Sequence, residues 1–483
     1  MLLAEQSLLE AAIVAAATDL RQDIEAARVL GSLLWNRYLA RPEGAGQDDF
    51  AAAVELFTPV FQADPAAVPD QLRDACQRAD NGLPADDGGL DAWDEQAVAL
   101  VIAYERSGNA GPLIKAMTLF RACLQATPPG DPRRPRRLSN FGLGLLTLFE
   151  RTGQEPILAE AIQIARQAAA ITPEDHPDRP GVLSNLGFEL RLLYERTGQL
   201  TVLEEAVRVG REAVAATPDD SAERAGVVSN LGLVLRLLFS RIGHQAALEE
   251  AVRLEREAVA ATPGDHPDRA MYLSNLGIVL QLLFERTGRQ ALLEEAVQLG
   301  RDAVAATPDD HSARPGRLSN LGIALRDLSE RTGQQAALEE AVQAGREAVA
   351  AVPSDHPDYA MYLSNLGIAL RDLSERTGQQ APLEEAVQVG HCAVAATPDD
   401  HPGRPGRQSN LGVALRLLSE RTGRLSTLED AIQTGRQAVD AAPDDHPDRV
   451  TYLSILATAL QEKFERTGNR TAGREAMACF RQA

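Results

Sequence analysis

LSNLGIALRDLSERTGQQAALEEAVQAGREAVAAVPSD, running from Leu318 to Asp355, comes round again almost letter for letter one period later, from Leu363. The dipeptide Ser-Asn marks the period at Ser139-Asn140, Ser184-Asn185, Ser229-Asn230, Ser274-Asn275, Ser319-Asn320, Ser364-Asn365 and Ser409-Asn410, always 45 residues apart, and Ser454-Ile455 keeps the register without the Asn. Self-similarity at a fixed stride is the mark of a repeat architecture, in which each period is one supersecondary unit.

Each period reads as two helices. Leu183, Leu186, Leu190 and Leu193 fall at 3-4-3 spacing, an apolar stripe of helical period. Glycine follows Glu-Arg-Thr or a near variant at Gly108, Gly153, Gly198, Gly243, Gly288, Gly333, Gly378, Gly423 and Gly468, where a left-handed C-cap costs no Cβ clash. A second stripe follows in Leu203, Ala206, Val207, Gly210, Ala213 and Val214, and Pro218 closes it because its ring cannot continue a helix. One such hairpin cannot bury both faces, so neighbours must stack into a continuous core. The small residues Gly187, Ala206 and Ala213 allow the backbones to approach.

Leu186-Gly187, Ala206, Gly210, Ala213 and Pro218 resemble the tetratricopeptide (TPR) pattern. The resemblance implies an all-α, right-handed superhelical solenoid of about ten helix-turn-helix repeats, here 45 residues long rather than the family's roughly 34. The large apolar place in the second helix is Gly210 here but Phe57, Phe120 and Phe480 in the outlying units. The wording HPDRAMYLSNLG from His266 is similar to the kinesin-light-chain subgroup. The whole chain, with LWNRYLARPEG from Leu34, resembles the arrays that precede caspase-like CHAT domains in actinobacterial proteins.

Residues 1–90 read as a divergent helical region with one degenerate repeat (Leu30-Gly31, Ala53, Phe57, Pro65) and an Asp-, Pro- and Gly-rich connection from about Ala66 to Gly89. Residues 91–483 read as the regular array, opening with Ala97, Ala116, Phe120, Cys123 and Pro128. The last repeat stops at Ala483 inside its second helix, so a stacking partner or fused domain is expected at that end.

Composition agrees with packed helices. Across 483 residues, 44% are apolar but only 4% aromatic, with Ala, Leu, Glu, Arg and Gln as filler. A net charge of −21 should repel a phosphate backbone, which leads to the expectation of no nucleic-acid partner. Cys76, Cys123, Cys392 and Cys479 have no paired spacing, which argues against disulfides or zinc and for a reducing, cytoplasmic setting. The apolar stretch from Leu8 to Ala17 has Glu5 and Glu10 in and beside it and no basic run before it, unlike a secretory signal. No uninterrupted apolar run reaches the length of a membrane span, so no membrane partner is expected.

The repeating Asn is the sharpest functional signal, because asparagine costs roughly 0.6 kcal/mol against alanine inside a helix. The TPR resemblance places first helices on a concave surface, where Asn140, Asn185, Asn230, Asn275, Asn320, Asn365 and Asn410 would form a ladder on the main chain of an extended peptide. The alternative is that these amides tie adjacent hairpins together. Arg191, Arg236, Arg326, Arg371 and Arg416 follow six residues later and suit a ligand carboxylate, unless neighbours such as Asp327 and Asp372 engage them. Arg151, Arg196, Arg286, Arg331, Arg376, Arg421 and Arg466 sit in the last turn of each first helix, where a cation complements the dipole, and Glu pairs such as Glu204-Glu205 do the same at second-helix starts. His176, His266, His311, His356, His401 and His446 are one per layer, too dispersed for a metal, and with the flanking Asp residues suggest loop-to-helix capping. His391-Cys392 are adjacent on a helix and diverge by about 100°. With no Ser-His-Asp set, phosphate loop or paired CxxC, the expectation is no catalytic, metal or cofactor site. The function expected is a scaffold that binds a peptide or partner domain in the concave groove. The alternatives are an assembly module stacking through its C-terminal face, and the sensor array of a CHAT-type protease system.

Overall fold

The computed structural model describes residue 13 and residues 23–40, 47–80, 87–107, 110–444 and 446–483, and all regular structure among them is helical. Gly108 and, Ile13 apart, the apolar stretch from Leu8 to Ala17 lie outside the described residues.

The chain falls into two compact units, Met1–Ala247 and Leu248–Ala483. Unit 1 carries the hairpins Ile24–Leu39 with Gln47–Ala63, Asp87–Ser107 with Ala110–Ala126, Arg134–Thr152 with Glu155–Ile171, and Arg179–Thr197 with Leu200–Ala216, followed by the first helix Arg224–Ile242. The division falls inside the helix Gln245–Ala261. Unit 2 continues with Arg269–Thr287 and Gln290–Ala305, Arg314–Thr332 and Gln335–Ala350, Tyr359–Thr377 and Ala381–Ala395, Arg404–Thr422 and Leu425–Ala441, and Arg449–Thr467 and Arg470–Gln482. Within unit 1 from Asp87 on, and within unit 2 from Arg269 on, second helices pack on their own first helix and on the next one, and consecutive first helices also touch, so the repeat expected from the sequence is the repeat observed.

Local chemistry fixes the hairpins. The eight described stop glycines, from Gly153 to Gly468, have φ between 64° and 77°, and each donates its amide to the carbonyl four residues back at 2.7–2.9 Å. Asp23 caps the first helix Ile24–Leu39, but first helices from Arg134 to Arg449 open without a side-chain cap from the residue before them, and Pro135, Pro180, Pro315 and Pro405 fill positions where a missing N–H costs nothing. The flanking aspartates do not accept from the helix amides as expected. Instead each imidazole closes its own loop: His176, His266, His311, His356, His401 and His446 accept at Nδ1 from the amide two residues on, at 3.0–3.2 Å. The arginine at the head of the first helix then closes the preceding second helix, as Arg314 does by donating to the carbonyls of Val304 and Thr307, each at 2.7 Å.

Layers meet through size complementarity. A Cβ added to Gly210 would lie 3.0 Å from Leu231, and one on Gly345 would lie 3.1 Å from Leu366, so glycine lets the next first helix seat its leucine against the second-helix backbone. Near the start of the chain the sizes are exchanged: Phe120 fills the second-helix place and Gly144 of the next first helix makes room for its ring.

The stretch from Ala66 to Gly89 is not a bare connection. Asp64 caps one 3-10 turn, Pro65–Ala67, and the helix Asp70–Asp80 packs on Gln47–Ala63 with Leu72 and Cys76 fully buried. Pro65 and Pro69 lie ahead of this helix and Pro84 after it, and Leu72 and Cys76 stand four residues apart, a one-face stripe too short to register as a repeat. Among the described residues, Arg224–Ile242 is long and apolar enough to cross a membrane by length and composition, although Ser229, Asn230 and Arg236 interrupt its apolar run; 44% of that window is buried and it occupies a first-helix place in the array.

Candidate partner-binding site

The asparagine column is a seam between layers. Asn185 donates its amide to Ser139 Oγ at 2.9 Å, Asn230 to Ser184 at 3.0 Å, Asn365 to Ser319 at 3.0 Å and Asn410 to Ser364 at 3.2 Å. Asn140 makes the same reach to Asp94 at 2.8 Å, and burial holds that carboxyl above the usual range despite the amide and Arg136 and Arg137. Asn275 is engaged as well, whereas Asn320 forms no hydrogen bond. All seven side chains are half-buried. Of the two roles open to these amides, the bonds drawn here belong to inter-layer attachment, and each uses one N–H of its amide.

The second column is turned inward upon the chain's own acids. Arg191 pairs with Glu195 at 2.5 Å and lies over Phe188, Arg326 pairs with Asp327 at 2.8 Å, Arg371 with Asp372 at 2.7 Å, and Arg416 with Glu420 and Glu462 at 3.4 and 3.7 Å; Arg236 is also engaged. A ligand carboxylate would have to displace these pairs.

The arginines of Glu-Arg-Thr-Gly reach back one layer rather than capping their own turn. Arg421 donates to Ser374 Oγ and the Gln379 carbonyl, both at 2.8 Å, and Arg466 donates to Ser419 Oγ and the Gly423 carbonyl at 2.8 and 2.7 Å. In unit 1 Arg196 instead lies over the Phe149 ring, 5.3 Å from its centroid.

This contrast exposes a position that sequence reasoning missed. At the corresponding place of successive first helices the chain carries Phe149, Tyr194, Phe239 and Phe284, then Ser329, Ser374 and Ser419, and a ring again at Phe464. The signal was present as the change from LFERTG to LSERTG, but an exposed serine near a helix end attracts no notice. In fact Ser329, Ser374 and Ser419 are at most 1% exposed.

Losing the ring opens a cleft of about 490 Å³ between Arg314–Thr332 and Tyr359–Thr377, lined by Arg326, Ser329, Glu330, Arg371, Asp372, Glu375 and Arg376, with Leu338 of the second helix. Ser374 donates to the Gln379 carbonyl at 2.6 Å and Ser419 to the Arg424 carbonyl at 2.7 Å. Ser329 Oγ has no partner. Arg376, which in its neighbours' pattern would reach that hydroxyl, donates only to the Ser329 and Gly333 carbonyls, both at a long 3.4 Å. Glu330 and Glu375, exposed at the rim, are in neither an ion pair nor a hydrogen bond. One layer earlier, burial and then the charge of Asp327, opposed by Arg326, hold the Glu285 carboxyl above its ordinary range. Among the described residues no group of three or more His, Cys, Asp and Glu is placed to hold a metal ion.

No protein-family model matches the chain, and no curated protein matches it. Solved structures do. The kinesin-light-chain-like TPR repeats of Podosopora anserina are 23% identical over 44% of this chain and 96% of theirs, with a TM-score of 0.33. The C-terminal part of a TPR protein from Cytophaga hutchinsonii is 13% identical over 65% of this chain and 99% of its own, with a TM-score of 0.37. The structural neighbours are TPR-repeat proteins. A monomeric IFIT1 mutant with Gppp-AAAA covers 98% of this chain and 94% of its own at 13% identity and a TM-score of 0.48. The exclusion of nucleic acid drawn from net charge does not stand: Gppp-AAAA is bound in that IFIT1 structure, and a chain-wide charge of −21 describes no particular groove of this chain.

Proposed function

We propose that this TPR-like chain is a protein-interaction scaffold that holds an extended segment of a partner in the cleft between Arg314–Thr332 and Tyr359–Thr377. One observation carries the reading: where earlier layers fill the place with a ring, this layer has a cavity of about 490 Å³ and a buried hydroxyl with nothing to bond. Binding without catalysis in a reducing compartment such as the cytoplasm fits four free thiols, three of them buried. The likeness of the wording to CHAT-associated arrays suggests control of an effector as one setting for such binding.

The test is selection of random peptides on the wild-type chain and on Ser329→Phe, which restores the residue type of the earlier layers. Peptides enriched on wild type should be lost with Ser329→Phe and kept with Arg301→Ala on the second-helix side. Peptides held equally by Ser329→Phe would contradict the reading, as would an oligoribonucleotide that binds this cleft more tightly than any selected peptide.

A second reading rests on a different surface. Phe464, Met477 and Phe480 are 42%, 57% and 47% exposed around an apolar cleft of about 500 Å³, at places that the next first helix covers in interior layers. It assigns this end to stacking on a second copy of the chain. Mass that grows with concentration in sedimentation, and stops growing in Met477→Glu, would support it; a monomer at all concentrations would not.

A further inference from the structure

Resting on the partner-segment reading above, we infer that the cleft at Ser329 takes a cationic side chain, lysine or arginine, carried on the bound segment. On the cleft's lining two of the three arginines are already paired with acids: Arg326 is held by Asp327 and Arg371 by Asp372, while Arg376 makes only two long bonds to carbonyls of the preceding layer. Glu330 and Glu375, by contrast, line the same cleft unpaired.

The hydroxyl of Ser329 makes the second, independent case. It is 1% exposed, lines the cleft and has no partner, although the equivalent hydroxyls of Ser374 and Ser419 each donate to a carbonyl and accept from an arginine. Ser329 lacks both bonds, and the one its neighbours accept from an arginine is the one an incoming N–H can supply. An ammonium brings three donors and a guanidinium five, enough to reach the serine oxygen and a flanking carboxylate together. The cleft is deep enough for the aliphatic stem because serine replaces the ring, and Leu338 gives that stem an apolar wall.

Fluorescence anisotropy with two labelled probes, an alternating Ala-Lys decapeptide and an alternating Ala-Glu decapeptide, tests this on the full chain at about 150 mM salt, where long-range attraction is screened. The Ala-Lys probe should bind, and should lose about tenfold or more in affinity in Ser329→Phe and in the Glu330→Gln, Glu375→Gln double variant, which keeps every packed atom in place. A control double variant on the second helices, Glu294→Gln with Glu339→Gln, removes the same charge and should change affinity less than about twofold. Equal losses in the control and cleft variants, or binding unmoved by Ser329→Phe, would overturn the inference. Binding of the Ala-Glu probe that Ser329→Phe abolishes would overturn the cationic assignment while leaving the segment reading intact. Failure of both probes would overturn the cationic assignment alone, because the peptide selection judges the segment reading separately.

Discussion

Arg196 and Arg421 hold the same place in the repeat, yet one rests on the ring of Phe149 and the other is bonded to Ser374 and the loop behind it. Layers built on Phe149, Tyr194, Phe239 and Phe284 close the first-helix face with carbon. Layers built on Ser329, Ser374 and Ser419 close it with a polar network, and at Ser329 that network is left incomplete. The backbone is indifferent to the exchange, since the stop glycines and the hairpins are the same in both regions. The residue type at this place can thus change from layer to layer without touching the fold.

The comparison can be broken most easily by swapping the two residue types. Phe149 is 3% exposed, and Phe149→Ser should cost about 3–5 kcal/mol, read from urea unfolding, because a ring-sized void cannot collapse. Ser329→Phe enters existing space and should stay within about 1 kcal/mol of wild type. Equal costs would mean that the two regions are not alternatives in one frame.

Unit 1 also holds a buried carboxyl at a place that unit 2 fills with valine at Val279 and then with alanine. Glu189 is 1% exposed with neither oxygen bonded, while Ala324, Ala369 and Ala414 stand at its place. Burial pushes its carboxyl well above the ordinary 4.5. With the folded value raised, stability is full below the unfolded value of 4.5 and falls as pH rises through the folded one. Glu189→Val, the residue of Val234 and Val279, should therefore stabilise by about 1–3 kcal/mol at neutral pH and by almost nothing near pH 4. A gain that did not shrink in acid would show that folding does not raise the carboxyl's titration.

A smaller contrast lies within unit 2. Asn365→Ala removes the bond to Ser319 and should cost about 1 kcal/mol, whereas Asn320→Ala removes no bond and should gain roughly half a kcal/mol from helix propensity. Opposite signs in melting shift would sharpen the seam reading; equal gains would remove it. Smallest of all, Arg301→Ala breaks the exposed pair with Glu340 at 2.6 Å and should cost at most about 0–1 kcal/mol, an effect that vanishes in about 1 M salt.

The hairpins were legible because glycine and proline punctuate them and both signals act within a turn of chain. Contacts between layers were harder to read. The partner of Asn230 is Ser184, 46 residues back, and the partners of Arg421 are a serine and a loop carbonyl in the layer before. In a sequence where every layer carries the same residues, several partners are equally plausible until the stagger is known. The helix Asp70–Asp80 was read as a connection because Pro, Gly and Asp around it outweighed two buried side chains. The cleft was missed for the opposite reason: it is made by the absence of a ring at Ser329, and a search for unusual residues passes over a missing one.

Amide hydrogen exchange on the full chain, with and without a saturating peptide from the selection, tests the central claim most directly. The account predicts slowed exchange in the last turns of Arg314–Thr332 and Tyr359–Thr377, around Ser329 and Arg376, and none of it in Ser329→Phe. Protection confined to the second helices, or unchanged by Ser329→Phe, would contradict it.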